Sequence, residues 1–429
     1  MLRAGTNARV ITPPVGTSLS GYFHDRVSTG VHDDLLAKAL VLDDGKTQVA
    51  IVICDVLRVQ RPEILKAREI ASKATGIPAG NIFVASTHTH TGPELNIERP
   101  LVPVNEKYLA EIPQMIADAI IQAHSNLKPA NLRLGEEYED RIAFNRRFRM
   151  KDGSVRFNPG KLNPDIIAPD GPIDPQINVL RVDDEAGAPI CILVNYSLHP
   201  DVMTGNEISA DWPGEMSRMV SSLYESAPLV IFMQGTCGNI NHIDVTTDRY
   251  QSGWAEVTRI SRVMAGKVLA ASELSKPMES QALGVASSVM DIKYHPMTDT
   301  LRAHAAEVLK SDNPDEKELA QAQWIQRYDL DGKTADVEVQ AMRMGDAGLV
   351  GVPGEYFVEY GLSIKEWSPF DQTFVGELAN GSHGYIPTSD AFYPGTYETM
   401  PILSAQLEPS AGVRIANEAG KLLRRLDAD

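Results

Sequence analysis

Three times along the chain, a short apolar segment is followed by a segment with outward charges and then by a second short apolar segment. Apolar runs of this length that end in turn residues are typical of buried strands. The predicted strand–helix–strand units are Gln48–Asp55, Pro62–Thr75 and Ile82–Ala85; Ile190–Ser197, Asp211–Tyr224 and Leu229–Met233; and Gly348–Val352, Tyr356–Trp367 and Thr373–Glu377. Their short connections imply parallel pairing with a right-handed crossover. We therefore predict an α/β fold of repeated strand-helix-strand units in largely parallel or mixed sheets flanked by helices.

Polar residues follow the strands of all three units. In a parallel sheet, the residues just beyond the carboxyl ends of the strands meet at one edge, where open α/β sheets place their sites. The residues and loops gathered by this rule are Asp55, His88, His90, His199, 235–241, Glu355 and 380–385. The sequence therefore predicts one cleft, within a single catalytic domain that covers residues 1–429.

The segment Ile82–Pro93 (IFVASTHTHTGP) carries the clearest chemical signal. It runs from a buried strand into a polar loop in which His88 and His90 stand two positions apart. On an extended backbone this spacing points both rings to one side. Neutral imidazole is a common zinc ligand, although a polar loop whose histidines only cap backbone groups has the same pattern.

Further candidates stand at the equivalent edges of the other two units. His199 directly follows an apolar strand, Glu355 lies between a strand and a helix, and Tyr385 lies in the third loop. Alone, each residue has an ordinary structural explanation, such as a carboxylate that stabilises a helix N-terminus. Together, two imidazoles and a carboxylate form a recurring catalytic zinc set with room for water or a phenol oxygen.

Composition narrows the class of partner. The apolar share of 43% supports a sizeable core, and the net charge of −17 without a basic run argues against nucleic acid and anionic membranes. Three cysteines, Cys54, Cys191 and Cys237, form no disulfide framework. Because we find no signal peptide and no apolar run of membrane-spanning length, we expect a cytoplasmic protein without a stable membrane anchor that acts on a small molecule.

Two segments lie outside the repeated units. Glu136–Pro175 reads as loop-rich, and its Arg146 is either a solvated arginine or a fork that grips a carbonyl or carboxylate of the substrate. Met297–Asp331 reads as a charged helical segment whose apolar stripe indicates ordinary packing, with a cover over the cleft as the alternative.

Ten segments, spread over nearly the whole chain, resemble the catalytic N-terminal domain of the neutral/alkaline non-lysosomal ceramidase family. They are Ala8–Gly16, Gly21–Tyr22, Asp33–Leu40, Ser86–Pro93, Phe144–Arg146, Leu198–Pro200, Ile208–Gly214, Pro353–Glu355, Gly384–Thr388 and Tyr397–Glu398. The resemblance implies one catalytic Zn²⁺. Its ligands fall on His88, His199, Glu355 and Tyr385.

The same resemblance assigns roles to other residues. His90 and Arg146 would face the scissile amide, with His90 as the proton shuttle, and Tyr397 would contact the substrate. Where family ceramidases carry a Gly-Asp-Val-Ser-Pro-Asn-like run, this chain has Gly238–Ile243, so that Asn239 and Asn241 would line the pocket. The sequence as given ends at Asp429, and we expect a divergent member without the C-terminal immunoglobulin-like domain usual in ceramidases.

These observations predict a zinc-dependent hydrolase in which metal-activated water attacks an amide or related bond of a small or medium organic substrate. Ceramide itself is not required by the residues. One alternative is an amidase that uses Cys237 as a thiol nucleophile, because Cys237 follows a strand in a glycine-rich turn. Another is a non-catalytic metal- or ligand-binding protein on the same scaffold, suggested by the altered Gly238–Ile243 loop.

Overall fold

The computed structural model describes residues 1–98, 102–393 and 395–428. In the described part of the chain, the strands are β1 (Arg3–Val10), β2 (Ser18–Leu19), β3 (Arg26–Val27), β4 (Gly30–Val31), β5 (Leu36–Asp43), β6 (Gln48–Cys54), β7 (Ile82–Ser86), β8 (Lys128–Tyr138), β9 (Phe144–Asn145), β10 (Arg147–Met150), β11 (Val155–Phe157), β12 (Ile166–Pro169), β13 (Gln176–Asp184), β14 (Pro189–Tyr196), β15 (Glu207–Ile208), β16 (Leu229–Gln234), β17 (Ile240–Asn241), β18 (Lys276–Pro277), β19 (Leu283–Lys293), β20 (Thr334–Met344), β21 (Ala347–Gly351), β22 (Glu355–Tyr356), β23 (Gln372–Gly376) and β24 (Tyr385–Ile386). The helices are α1 (Arg61–Thr75), α2 (Glu106–Ser125), α3 (Asp211–Ser222), α4 (Trp254–Glu273), α5 (Asp299–Val308), α6 (Glu316–Arg327), α7 (Val358–Trp367) and α8 (Ala411–Ala428).

Two mixed sheets form the centre of the molecule. The large sheet has the order β16-β14-β13-β8-β1-β5-β6-β7, with β18 beside β8, and the small sheet has the order β19-β20-β21-β23. Their inner faces share one hydrophobic cluster, in which Ile51 and Phe83 of the large sheet pack with Leu349 and Phe374 of the small sheet. Side chains alternate between the two faces of a strand, so the other face of each sheet needs a cover of its own.

Helices provide that cover. On the large sheet, α1 and α2 pack over β5 and β6, while α3 and α4 pack over β13, β14 and β16. On the small sheet, α7 and α8 pack over β20 and β21. The layers therefore run helices, sheet, sheet, helices, which explains why the central strands read as continuous apolar runs.

All three predicted strand–helix–strand units are present, and each has the predicted parallel pairing. The pairs are β6 with β7 around α1, β14 with β16 around α3, and β21 with β23 around α7. The predicted α/β class is confirmed. The connecting strands β1, β5, β8 and β13 pair antiparallel, and this makes the large sheet mixed.

The third unit differs from its prediction at one end. Helix α7 begins at Val358 rather than Tyr356, because Glu355 and Tyr356 form the short strand β22, which pairs in parallel with β24. The amide of Glu355 donates to the carbonyl of Gly384 and the amide of Phe357 donates to Ile386. These bonds hold the backbone extended for two residues before the helix starts.

Of the two segments outside the units, the one predicted to be loop-rich contains short strands, and the one predicted to be helical is helical. Residues 136–175 contain a separate three-stranded sheet with the order β11-β10-β12. They also contain β9, which pairs with β17. Residues 297–331 form α5 and α6, which pack with Ile402 and Leu403. Among the described residues, no helix combines the length and the apolar character needed to cross a bilayer.

Candidate metal centre

A cavity of about 450 Å³ opens where the three units end. This volume is within the range of small-molecule sites. The predicted site residues that line it are His88, His90, Arg146, His199, Asn241, Glu355, Tyr385 and Tyr397. His88 and His199 follow strands of the large sheet, and Glu355 and Tyr385 follow strands of the small sheet. The cavity therefore lies at the shared edge of the two sheets, as the repeated pattern predicted.

Three buried imidazoles converge on one point of this cavity. His199 Nε2 lies 3.1 Å from His88 Nε2 and 3.0 Å from His90 Nε2. A group that could hold a metal ion is therefore present, with one ligand atom of each ring within 4.8 Å of the others. Two nitrogen ligands of one tetrahedral zinc ion lie about 3.3 Å apart, since each Zn–N bond is about 2.0–2.1 Å long. The observed spacings agree with that geometry.

The histidine loop reaches this arrangement by a different route from the predicted one. His88 has φ 73°, in the left-handed region, so the backbone between the two histidines is not extended. A conformation of this kind costs about 1–3 kcal/mol for a residue with a side chain, and such strain is often found at functional sites. The amide of His88 donates to Val56 O, and its ring Nδ1 lies 2.9 Å from Leu57 O. These two bonds hold the turn and orient the ring.

Glu355 and Tyr385 face the histidines as neighbours in the β22–β24 ladder. Glu355 Oε2 lies 3.4 Å from His88 Nε2, at ion-pair distance, and the Tyr385 phenol hydrogen-bonds the Glu355 carboxylate. Tyr385 Oη also lies 2.8 Å from Tyr397 Oη. The structure thus brings all four predicted ligands together. It also places the ring of His90 as close to the ring of His199 as the ring of His88 is.

The charge states of this group suit a divalent cation. Burial lowers the pKa of His90 and of His199 well below its ordinary value, so that both rings are neutral, the form that binds metal. Burial opposes ionisation of Glu355, but His88, His199 and Tyr385 together outweigh it and lower the pKa of the carboxyl. The pKa of His88 is raised, because Glu355 outweighs the effect of burial. A cation would replace the proton that these two residues share.

Glu377, a buried carboxylic acid that sequence reasoning missed, contacts the residues that hold the candidate ligands in place. Glu377 accepts the amides of Cys237 and Tyr356, each at 3.0 Å, and its Oε1 lies 3.0 Å from Cys237 Sγ. Burial raises its pKa to about 8. Cys237 Sγ in turn lies 3.3 Å from His199 Nδ1. Glu377 therefore joins the loop of Cys237, which contacts His199, to the segment of Glu355. The available signal was a carboxylate directly after a buried strand.

The position of Cys237 bears on the thiol alternative. The side chain is fully buried, and burial, with Glu377 adding to it, raises the thiol pKa well above its ordinary value. A nucleophilic cysteine needs a lowered pKa and an open approach. The structure favours a supporting role for Cys237 beside His199.

Residues that the sequence did not reveal as part of the site pack against the ring of His90. Asp201 Oδ1 lies 3.6 Å from His90 Nδ1 and accepts the hydroxyl of Tyr22 at 2.8 Å. Gly21 lies against the same ring, where an added Cβ would stand 2.5 Å from His90 Nδ1. Asp201 directly follows His199 and Pro200 in the sequence, and this closeness to a predicted ligand is the feature that could have identified it.

Arg146 is a buried, fully oriented cation at the cavity. It donates to Glu398 Oε1 at 3.2 Å, to Gly238 O at 2.6 Å and to Tyr385 Oη at 3.1 Å. Burial works against its charge, but Tyr397, Tyr385 and Glu398 outweigh that effect and raise its pKa. Of the two alternatives from the sequence, the structure excludes a solvated arginine.

The structure corrects the expected position of Asn239. Its side chain accepts the amide of Val358 at 2.9 Å and donates to Glu359 at 2.9 Å, which caps α7. It lines a second cavity of about 160 Å³ instead of the main one, because the turn at Gly238 points it away. Asp55 also has a structural contact, since it accepts the amide of Leu36 at 3.1 Å.

Helix α6 contributes to the wall of the cavity. Glu316, Lys317 and Trp324 of this helix line the cavity together with the candidate metal ligands. The segment that read as ordinary packing from its apolar stripe therefore also borders the site.

Comparison with known proteins shows which family the chain resembles. The sequence profile of the neutral/alkaline non-lysosomal ceramidase N-terminal family matches residues 3–229. Neutral ceramidase A of Dictyostelium discoideum is 25% identical over 228 residues, which cover 50% of this chain and 31% of that protein. Neutral ceramidase 1 of Arabidopsis thaliana is 24% identical over 233 residues, which cover 50% of this chain and 28% of that protein. The match thus spans about a third of the length of these relatives.

The fold agrees over a longer stretch. The crystal structure of neutral ceramidase from Pseudomonas aeruginosa superimposes with a TM-score of 0.78 at 19% identity, covering 99% of this chain and 74% of that one. At this identity the likeness shows the fold alone. The sequence profile covers more than half of the chain, and the chain therefore belongs to the neutral/alkaline non-lysosomal ceramidase family.

Proposed function

We propose that this chain is a metal-dependent hydrolase, with Zn²⁺ as the metal, that cleaves an amide or related acyl bond of a small or medium organic substrate. The observation that carries the proposal is the convergence of His88, His199 and Glu355 on one wall of a 450 Å³ cavity, with Arg146 and Tyr385 beside them. The names of the relatives as ceramidases support an amide as the bond.

The donor set fits a divalent cation held by His88, His199 and Glu355, with the Tyr385 phenol as a further oxygen donor. Such an ion polarises a carbonyl group and lowers the pKa of water to about 7. Cys237 and Glu377 keep the His199 ring in place, and Leu57 O keeps the His88 ring in place. These contacts fix the tautomer of each ring, as supporting groups do around catalytic metals.

Tyr385 and Arg146 are placed to stabilise negative charge on a carbonyl oxygen. The guanidinium of Arg146 is held by Glu398 and Gly238 O and donates to Tyr385 Oη. Both groups are oriented before any substrate binds, and donors oriented in advance stabilise an oxyanion strongly in a site shielded from water.

His90 is the group placed to move a proton. Burial keeps its ring neutral, and Nδ1 faces Asp201 Oδ1 at 3.6 Å, so that Nε2, on the side of His199, is the nitrogen placed to take up a proton. The carboxylate of Asp201 would stabilise the imidazolium that forms when the ring takes up a proton, before that proton passes to the leaving amine.

A substrate panel tests the proposal. Protein purified without added metal is analysed for bound metals and then offered N-acyl, ester and glycosidic compounds. We expect about one Zn²⁺ per chain and turnover of N-acyl compounds above that of the matched esters. Stoichiometric metal without turnover of any compound would instead support the non-catalytic binding protein.

Replacement of Cys237 by alanine separates the metal mechanism from a thiol nucleophile. We expect the Cys237→Ala variant to keep its activity within about tenfold of the original, since only a supporting contact to His199 is lost. Initial rates on the best N-acyl substrate measure this, with Cys191→Ala, a buried cysteine of β14, as the matched control. Complete loss of turnover in the folded, metal-loaded variant would favour the thiol.

Replacement of Gly21 by alanine tests the position of His90. The new Cβ would stand 2.5 Å from Nδ1 of the ring, and it would also strain a backbone with φ 104°. We expect kcat/KM to fall at least about tenfold, since small displacements of catalytic groups have large effects on rate. Gly45→Ala is the matched control, because Gly45 has φ 88° and open space where its Cβ would be. Equal activity losses in both variants would contradict the role given to His90.

A further inference from the structure

The cationic side chains that line the main cavity, within the described part of the chain, are those of Arg58, Arg146 and Lys317. Two of them have firm contacts in the protein. The guanidinium of Arg146 donates three hydrogen bonds to protein oxygens. Lys317 Nζ lies 5.0 Å from the centre of the Tyr397 ring, which is a cation–π distance. Arg58 has no comparable contact, so its charge at the cavity calls for an explanation.

Arg58 is a largely enclosed cation with a distant partner. Only 12% of its side chain is accessible, and within the described ranges the one carboxylate at ion-pair distance is that of Glu94, whose Oε1 lies 3.9 Å from Nη2. This separation is too long for a hydrogen bond. The oxygens of Glu94 instead accept the hydroxyl of Ser20 at 2.9 Å and the backbone amides of the two residues that follow Glu94. The guanidinium of Arg58 therefore keeps donors for a further acceptor.

A bound anion would satisfy these donors. Buried charges in proteins are usually paired and hydrogen-bonded, and those that are not are explained by a ligand, an ion or water. The guanidinium of Arg58 does not lose its proton in a protein, so deprotonation offers no escape. Its planar fork matches a carboxylate, which accepts two parallel hydrogen bonds from it. The acceptor that fits Arg58 best is therefore a carboxylate of a bound molecule.

Arg58 lies beside the candidate metal centre. The amide of His88 donates to Val56 O, and its ring Nδ1 lies 2.9 Å from Leu57 O. Arg58 directly follows these two residues, and both Arg58 and His88 line the cavity. A carboxylate bound by Arg58 would therefore lie near the proposed metal centre, and thus near the bond that is cleaved.

Another part of the cavity wall is apolar. Phe23, Trp324 and Leu403 line the cavity, and all three belong to the hydrophobic cluster of α5 and α6. An apolar group of a bound molecule would be removed from water against them, which is favourable. A neutral polar molecule would use neither this surface nor the charge of Arg58. A molecule with one apolar group and one carboxylate would use both.

We propose that the substrate is an amide that carries a carboxylate close to the scissile bond, and that Arg58 binds this carboxylate. The apolar remainder of the molecule would lie against Phe23, Trp324 and Leu403. The carboxylate belongs either to the amine portion, as in an N-acyl amino acid, or to the acyl portion, as in a succinyl amide. This inference rests on the proposed function for the bond that is cleaved, and it adds the charge of the substrate and the residue that selects it.

Matched acids and carboxamides give the first test. N-octanoylglycine is compared with N-octanoylglycinamide, and N-octylsuccinamic acid is compared with its carboxamide, so that the two members of each pair differ in charge but hardly in shape. We expect kcat/KM to be about tenfold to a hundredfold higher for the acid of one pair, the usual effect of a hydrogen bond to a charged group. The pair that shows the preference identifies the portion that carries the carboxylate. Equal kcat/KM within both pairs would overturn the inference and leave the proposed hydrolase intact.

Substitution of Arg58 tests the residue itself. In Arg58→Met, the ratio of kcat/KM for the acid to kcat/KM for the carboxamide should fall about tenfold or more. Arg58→Lys keeps the charge without the planar fork and should retain part of the ratio. General damage to the fold lowers both rates and leaves the ratio in place. Lys317→Met, which removes another positive charge from the cavity wall, is the matched control and should keep the ratio of the original protein. An unchanged ratio in Arg58→Met, or an equal fall in Lys317→Met, would refute the role of Arg58.

Direct binding separates this inference from the proposed function. If the original protein cleaves none of these amides, the proposed function fails, and calorimetry with the same compounds then tests recognition alone. Binding of an acid about tenfold tighter than that of its carboxamide would still support an anionic ligand, provided that the difference is lost in Arg58→Met and kept in Lys317→Met. That loss would also show that the carboxylate binds Arg58 rather than a metal ion. Equal affinities, or absence of binding, would overturn the inference.

Discussion

Removal of the metal with a strong chelator is expected to abolish turnover, with kcat/KM at least about a thousandfold lower than in the loaded protein. The reason is that the remaining side chains around the cavity, those of His90, Arg146 and Tyr385, orient a substrate and move a proton but provide no strong electrophile. The metal-free site should stay folded, because His88 and Glu355 then form an ion pair at 3.4 Å. Initial rates before and after dialysis measure the effect.

Recovery is the control for this experiment. Stoichiometric Zn²⁺ should restore the rate, and circular dichroism of the dialysed protein should be unchanged. His199→Ala, treated in the same way, should show neither the loss nor the recovery, because it lacks a ligand from the start. Full activity in protein proven free of metal would contradict the mechanism.

Replacement of Arg146 by methionine is expected to reduce both activity and stability. Arg146 and Glu398 form a buried pair at 3.2 Å, and without Arg146 the carboxylate of Glu398 would keep the more distant Arg147, at 3.9 Å, and the hydroxyl of Thr396. Breaking a buried pair by removing one partner costs about 3–5 kcal/mol in the free energy of unfolding, and Arg147 places the expected loss at the lower end. Loss of the donor near Tyr385 should also lower kcat/KM about a hundredfold or more. Denaturant unfolding and steady-state kinetics measure the two effects.

A second substitution separates these two effects. The double variant Arg146→Met with Glu398→Gln has no buried carboxylate at position 398. Much of the lost stability should therefore return while kcat/KM stays low. Arg146→Lys keeps the charge but not the planar fork, and should retain stability better than activity. If activity returned together with stability in the double variant, Arg146 would have a structural role only.

The repeated units were predictable because their signals are local. A buried strand such as Ile190–Tyr196 reads as an apolar run, and a short connection through one helix permits only parallel pairing. Once the pairing is known, the carboxyl ends of the strands must share an edge. That is why the sequence alone assigns His88, His199 and Glu355, which are far apart along the chain, to one cleft.

The remaining features depend on contacts that sequence patterns do not encode. The left-handed backbone of His88 is stabilised by Val56 O and Leu57 O, from the loop after another strand. Glu377 accepts the amide of Tyr356 from its own unit and that of Cys237 from the second unit, so the sequence showed its carboxylate but not what it joins. Asn239 was misplaced because the direction of a turn at Gly238 decides which cavity its side chain enters.

The position of the proposed metal ligands beyond the strands of two different sheets has a mechanical consequence. His88 and His199 follow strands of the large sheet, and Glu355 and Tyr385 follow strands of the small sheet, so an ion bound by all four would link the two sheets. Sliding of the two sheets past each other would then require the bonds between the ion and its ligands to break. Occupancy of the centre should therefore protect backbone amides at the ends of β14 and β21 together from hydrogen exchange, far beyond the residues that touch the ion.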